Sequence, residues 1–226
     1  LYRVVPSAVV GTTFASFVQA AMSSMAIVFA IEAGMSTGKA TVFVGAGLTG
    51  AIFLQIPLGR LSDRFPRRKI ILFCIFISAA IAITQSLLSN SNDLHIFLNF
   101  LFGAFVFPLY GLFAALANDW IPSEKRISAS STLVLASSSG AVVAPIVTGF
   151  LLGNFAPSSY FLANASVLIF IGLYISYRTL VREAVPVDKQ STFIPLVARS
   201  GQIAHSLGRW IRNPLAVWPR DKPDQK

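Results

Sequence analysis

The chain is 226 residues long, 54% hydrophobic and only 12% charged, with a formal net charge of +9. A charged share about half that of a soluble domain excludes an ordinary water-soluble fold. The basic excess lies in loops and a tail beside apolar blocks, which fits the inner leaflet of a membrane and not nucleic acid. The single cysteine, Cys74, excludes an intrachain disulfide and any multi-cysteine metal site.

Six apolar blocks follow in order: 6–31, 40–58, 70–88, 94–117, 127–152 and 159–177. Each is long enough to span a bilayer, which needs roughly 20 mostly apolar residues. Backbone groups in lipid must bond within their own segment, so the spans are helices. The expected fold is all-α and polytopic, a bundle over 1–178 followed by a cytoplasmic tail over 179–226. The first block carries Thr12, Ser16, Gln19 and Ser23 at helical spacing, on one face. The second is rich in glycine (Gly45, Gly47, Gly50), and Gly47 with Ala51 makes a small-xxx-small pair of the kind that lets membrane helices approach closely. In the fourth, Asn99, Gly103, Val106 and Tyr110 make a comparable face beside Pro108. Pro145 lies inside the fifth. Prolines of this kind are tolerated in membrane helices and mark bends.

Lysine and arginine set the orientation. With the N-terminus inside, the inner loops hold Arg3, the run Arg60, Arg64, Arg67, Arg68 and Lys69, and the pair Lys125 and Arg126; only Lys39 falls outside. Both ends of the segment are therefore expected in the cytoplasm. In the tail, 191–213 places Phe193, Leu196, Val197, Ile203, Leu207, Trp210 and Ile211 at three- and four-residue spacings, with Arg199, Arg209 and Arg212 between them. This predicts an amphipathic helix lying on anionic inner-leaflet lipids.

No Asp, Glu, Lys, Arg or His lies deep within a block; Glu32, Asp93, His95 and Asp119 sit at or near ends. A mid-membrane charge costs about 2.5–3.5 kcal/mol on insertion scales and is kept for function. No proton-relay carboxylate is therefore expected here. An intramembrane serine protease needs an embedded histidine base. His95 and His205 are both misplaced for that, so no enzyme, cofactor or metal site is expected.

Between the second and third blocks the chain reads Gly59-Arg60-Leu61-Ser62-Asp63-Arg64-Phe65-Pro66-Arg67-Arg68-Lys69. This resembles the signature loop of the major facilitator superfamily, Gly-x-x-x-Asp-Arg-x-Gly-Arg-Arg, which joins the second and third helices of each six-helix half. Gly59, Asp63, Arg64, Arg67 and Arg68 match; Pro66 replaces the second glycine, which puts the turn in question. Block five, with Gly140, Pro145 and Gly149, is similar to the superfamily's Gly-xxx-Gly-Pro-xx-Gly-Gly pattern, with Ala144 and Thr148 at two glycine positions. That pattern is associated with antiporters, mainly in the N-terminal half; here small-residue packing is the preferred reading and antiport is not inferred. The chain looks closest to poorly characterised bacterial exporter-like members, including the Asn118-Asp119 exit from block four.

The resemblance implies half of a secondary transporter that moves a small organic solute across the bacterial inner membrane by alternating access. The chain opens Leu1-Tyr2-Arg3 without an initiator methionine or signal-peptide features, and reads as a fragment. The imperfect signature and the tail after block six point to the C-terminal half, with the N-terminal six-helix half as its missing partner; an N-terminal half followed by its central loop is the alternative. The superfamily lines its cavity with the first and fourth helices of each half, which makes Gln19, Ser16, Ser23, Asn99 and Tyr110 the substrate-facing candidates. Interhelical hydrogen bonding is the plainer role for the serines. The signature carboxylate Asp63 is expected to face a helix N-terminus of the other half. A non-transporting sensor or scaffold on the same fold is the alternative.

Overall fold

In the computed structural model, which describes residues 5–88, 92–122 and 126–181, the chain forms six helices. They are α1 (Pro6–Glu32), α2 (Thr37–Arg64), α3 (Arg67–Leu87), α4 (Asn92–Asn118), α5 (Arg126–Asn154) and α6 (Ser158–Val181). All six are long and apolar enough to cross a membrane. They fall within one compact unit, Leu1–Phe193. The interfacial tail helix expected over 191–213 lies outside the described residues.

Local chemistry sets the ends. Pro6 opens α1 at a position where its missing N–H costs nothing. Gly34, at φ 80°, closes it. The Met35 N–H reaches back to the Ala30 carbonyl and the Gly34 N–H to that of Ile31, a left-handed glycine cap. Ser36 then caps α2, its hydroxyl accepting from the Lys39 N–H.

The join between α2 and α3 differs from expectation. The second helix was expected to end near 58 and the third to begin near 70, with the signature as a loop between them. Instead α2 runs on through Arg64 and α3 starts at Arg67, so only Phe65 and Pro66 are not helical. Hydropathy marks the lipid-soluble part of a helix, not where its hydrogen bonds stop. The remaining ends move by only a few residues. Pro66 also answers the question of the turn. Phe65 is extended, at φ −124° and ψ 160°, the conformation that a following proline imposes. No non-glycine residue among those described has positive φ, so this join does not need the missing glycine.

In the bundle α2 packs on α4, α1 on α5, and α3 on α6, with α4 also meeting α1 and α3. At one end an aromatic group locks four helices together. Phe29 of α1 meets Phe43 of α2 at 5.6 Å, His95 of α4 at 5.7 Å, and Tyr160 and Phe161 of α6 at 5.3 and 4.7 Å. Edge-to-face and offset rings of this kind add about 0.5–1.5 kcal/mol per pair beyond burial. Two seams bring backbone against backbone at glycine. A methyl group on Gly103 would land on the Gly47 backbone, and one on Gly50 would land on the Phe100 carbonyl, so α2 and α4 touch backbone to backbone. At the α1–α5 crossing, a methyl group on Gly140 would land on the Thr13 carbonyl. Gly149 is different: a methyl there would meet only the Met25 side chain, at ordinary contact distance. Of the two packing glycines expected in α5, Gly140 therefore sits at a backbone contact and Gly149 does not. Pro145 between them is half-buried.

Candidate functional site

Two constellations hold the residues singled out above. The first sits where α2, α3 and α4 end together. Arg67 opens α3, and its side chain is only 1% exposed. Its Nη1 donates to Asp119 Oδ1 at 2.7 Å and its Nη2 to Asp63 Oδ1 at 2.9 Å. Asp119 follows the last turn of α4 and is equally buried, whereas Asp63 is 28% exposed. A cation at a helix N-terminus opposes the helix dipole, and the two carboxylates offset that cost. Arg68, also buried, donates from Nη1 to the Arg178 carbonyl in the last turn of α6, at 3.5 Å. There a cation favours the dipole. Gly59 and Ser62 are buried, the Ser62 hydroxyl donating to the Gly59 carbonyl at 2.7 Å, while Arg60 and Arg64 are exposed.

The sequence reading sent Asp63 toward a helix of another half. In the structure it accepts from Arg67, four residues on, and so ties α2 to α3 within this bundle. The residue that sequence reasoning missed is Asp119. Its position at the exit of α4 was visible, but its partner lies 52 residues away and only the topology brings them together. Replacing Asp63 by asparagine should keep an acceptor for Arg67 and lower stability by less than about 1 kcal/mol, because the group is partly exposed. Asp119→Asn should cost more. Thermal unfolding of the two variants in detergent compares them, and equal losses would refute the ranking.

The second constellation is a shallow, open depression of about 280 Å³ on the face shared by α1, α4 and α5. Ser16, Gln19 and Ser23 line it from α1, Phe107 from α4, and Ser137 and Ser138 from α5. Gln19 bridges helices: its Nε2 donates to the Val106 carbonyl at 3.1 Å and to that of Phe107 at 3.0 Å, in the turn before Pro108. Thr12, from the same stripe, is buried and donates to the Ala8 and Val9 carbonyls of its own helix.

The α4 stripe points elsewhere. Asn99 is buried, its Nδ2 donating to the Phe43 carbonyl at 2.8 Å, and Gly103 sits on Gly47. These two serve the contact with α2. Tyr110 is buried and does not line the depression. The residues that sequence reasoning overlooked are Phe107, Ser137 and Ser138. The signal was the run Ser137-Ser138-Ser139 inside an otherwise apolar block.

Comparison with known proteins was made against this geometry. A family model described as Major Facilitator Superfamily matches residues 9–218. Over 129 residues the chain is 28% identical to the "Uncharacterized MFS-type transporter YcaD" of Salmonella arizonae, covering 56% of this chain and 31% of that protein. The protein of the same name from Escherichia coli O139:H28 is 27% identical over the same length and shares. The matched part thus spans under a third of these relatives. Among solved structures the fold is similar to the POT family transporter PepTSo, with a TM-score of 0.73 at 15% identity, covering 98% of this chain and 44% of that one. It is also similar to an auto-inhibited POT family peptide transporter, with a TM-score of 0.67 at 17% identity, covering 97% and 43%. At these identities the likeness is one of fold.

Proposed function

The chain belongs to the major facilitator superfamily, and on that premise we propose that it forms one six-helix half, the C-terminal one, of a secondary transporter. It is an integral, multi-pass membrane protein of a transporter family, not of an enzyme family. In this reading the whole protein moves a small organic solute across the bacterial inner membrane by alternating access, with both ends of this segment in the cytoplasm. The observation that carries the proposal is the depression on α1, α4 and α5. It carries a glutamine and four serines, it lies mid-span on three membrane helices, and it is open. Superfamily sites lie near the bilayer midplane between two such halves.

The opposing wall is proposed to be the N-terminal half, seated across α2 and α5. Thr132, Ser138 and Ser139 on α5 are exposed in this half, and hydroxyls there suit a facing helix better than lipid. Gln19, Ser16 and Ser23, with Ser137 and Ser138, are the proposed substrate-facing set; Asp63, Arg67 and Asp119 are the proposed gating set, joined by Arg64 and Arg68 at the membrane surface.

A cysteine at Ser138 tests alternating access without a known substrate. The native Cys74 is fully buried in the core and gives little background. In the complete protein, in sealed vesicles of each orientation, Ser138→Cys should react with a membrane-impermeant maleimide from both faces. Labelling from one face only, under every condition tried, would indicate a sensor or scaffold instead.

A further inference from the structure

We propose that the depression on α1, α4 and α5 selects solutes that donate hydrogen bonds, organic ammonium ions with N–H groups above all, and rejects anions. This deepens the transport reading and rests on it.

The Gln19 amide has two N–H protons, and both are committed, to the Val106 and Phe107 carbonyls. Only its carbonyl oxygen Oε1 is left to offer. A serine hydroxyl has one proton and two lone pairs. Ser23 gives its proton to the Gln19 backbone carbonyl at 2.9 Å. Ser137 and Ser138 give theirs to the Val134 carbonyl, at 2.8 and 2.9 Å. Donation into the preceding turn is what a helical hydroxyl does when no better acceptor is near. Four oxygens on this face are thereby left as acceptors.

Ser16 is the exception. It lines the depression at 7% exposure, and among the described residues its hydroxyl has no hydrogen-bond partner. A polar atom of a bound solute would give this hydroxyl a partner. No ionisable side chain lines the depression, while Phe107 supplies an aromatic wall. A ring face attracts an ammonium group held near it. An ammonium ion therefore meets acceptors and a π face. A carboxylate or phosphate meets no cation, and Ser23, Ser137 and Ser138 would each have to give up a bond to their own helix to donate to it. The volume, at the small end for ligand sites, suits a head group with the rest of the solute held by the opposing half.

The test uses the complete protein in detergent and four probes of matched shape, measured by equilibrium dialysis. Phenethylammonium carries charge and N–H donors. Its N,N,N-trimethyl analogue keeps the charge without the donors. Phenylethanol keeps a donor without the charge. Phenylpropionate is an anion without a donor. Phenethylammonium should bind, the trimethyl analogue at least tenfold more weakly, phenylethanol in between and phenylpropionate last. Ser23→Ala with Ser138→Ala should weaken phenethylammonium several-fold and leave thermal stability unchanged, since both hydroxyls bond only their own helices. Phenylpropionate or the trimethyl analogue binding as tightly as phenethylammonium would overturn the proposal, as would no binding of phenethylammonium at its solubility limit. Phenylethanol equal to phenethylammonium would overturn the ammonium assignment. Donor selection together with one-sided labelling of Ser138→Cys would sink the transport reading alone; two-sided labelling with anion preference would sink this proposal alone.

Discussion

Arg67→Ala should destabilise the bundle by about 3–5 kcal/mol, the range for removing one member of a buried ion pair. The size follows from what stays behind. The Asp119 side chain is 1% exposed and pairs with Arg67 at 2.7 Å. With the guanidinium gone, the buried carboxylate at the end of α4 loses this ion pair. Asp63, 28% exposed, can turn to water and loses little. Arg67→Lys should recover only part of the loss, because a single ammonium cannot copy a fork that holds two carboxylates at once. The informative variant is the double replacement Arg67→Leu with Asp119→Leu. Replacing a buried pair by apolar groups is often neutral, so the double variant should be more stable than Arg67→Ala alone. Thermal unfolding in detergent across the set gives the coupling. A loss under about 1 kcal/mol for Arg67→Ala would show that water reaches this end of the bundle and screens the pair.

Gly103→Val should leave most of the protein misassembled, with a cost at or above the ~3 kcal/mol upper end of ordinary overpacking. Overpacking is normally relieved by a neighbouring side chain that turns aside. At Gly103 the neighbour is the Gly47 backbone, which has no rotamer to offer. Relief requires α2 and α4 to separate along the seam, which strips the contact between Asn99 and Phe43. Gly47→Ala is the paired control. Its methyl would meet the tip of Met22, which can turn aside, and the Asn99 amide, which is held by the Phe43 carbonyl. Gly149→Ala should be close to neutral for the same kind of reason, since its nearest neighbour is the flexible end of Met25. The fraction recovered as a monodisperse species by size-exclusion chromatography ranks the three. Equal recovery of Gly103→Val and Gly149→Ala would mean that the seam is looser than the structure has it.

The six spans were legible because lipid imposes a simple rule, a long apolar run with no charge in its middle, and each run became a helix. What each polar stripe faces was less legible. Asn99 and Gly103 share a helix face as expected, but periodicity says only that they lie together. A cavity and a close helix crossing both favour small and polar residues, and here the crossing with α2 took them. Gln19 was readable as inward-facing; its bridge to the turn before Pro108 was not, since it depends on α4 being at hand. Ser137 and Ser138 passed unnoticed because a hydroxyl bonded to its own helix can sit in an apolar block at little cost. The signature residues Asp63 and Arg67 announced themselves by spacing. Their third partner, Asp119, did not, because pairing across separate helices follows from topology and not from local pattern.

The two-residue join at Phe65 and Pro66 bears on how this half can move. Proline fixes its own φ and holds the residue before it extended, and Asp63 and Arg67 clasp each other across the join. Such a corner is stiffer than a flexible loop, so a tilt of α2 is expected to carry α3 with it. A push that tilts α2 at the seam with a neighbour is turned through the corner into α3. From there the Arg67–Asp119 clasp transmits it to α4, whose carbonyls hold Gln19. The same contacts thus link the membrane surface to the depression through α3 and α4.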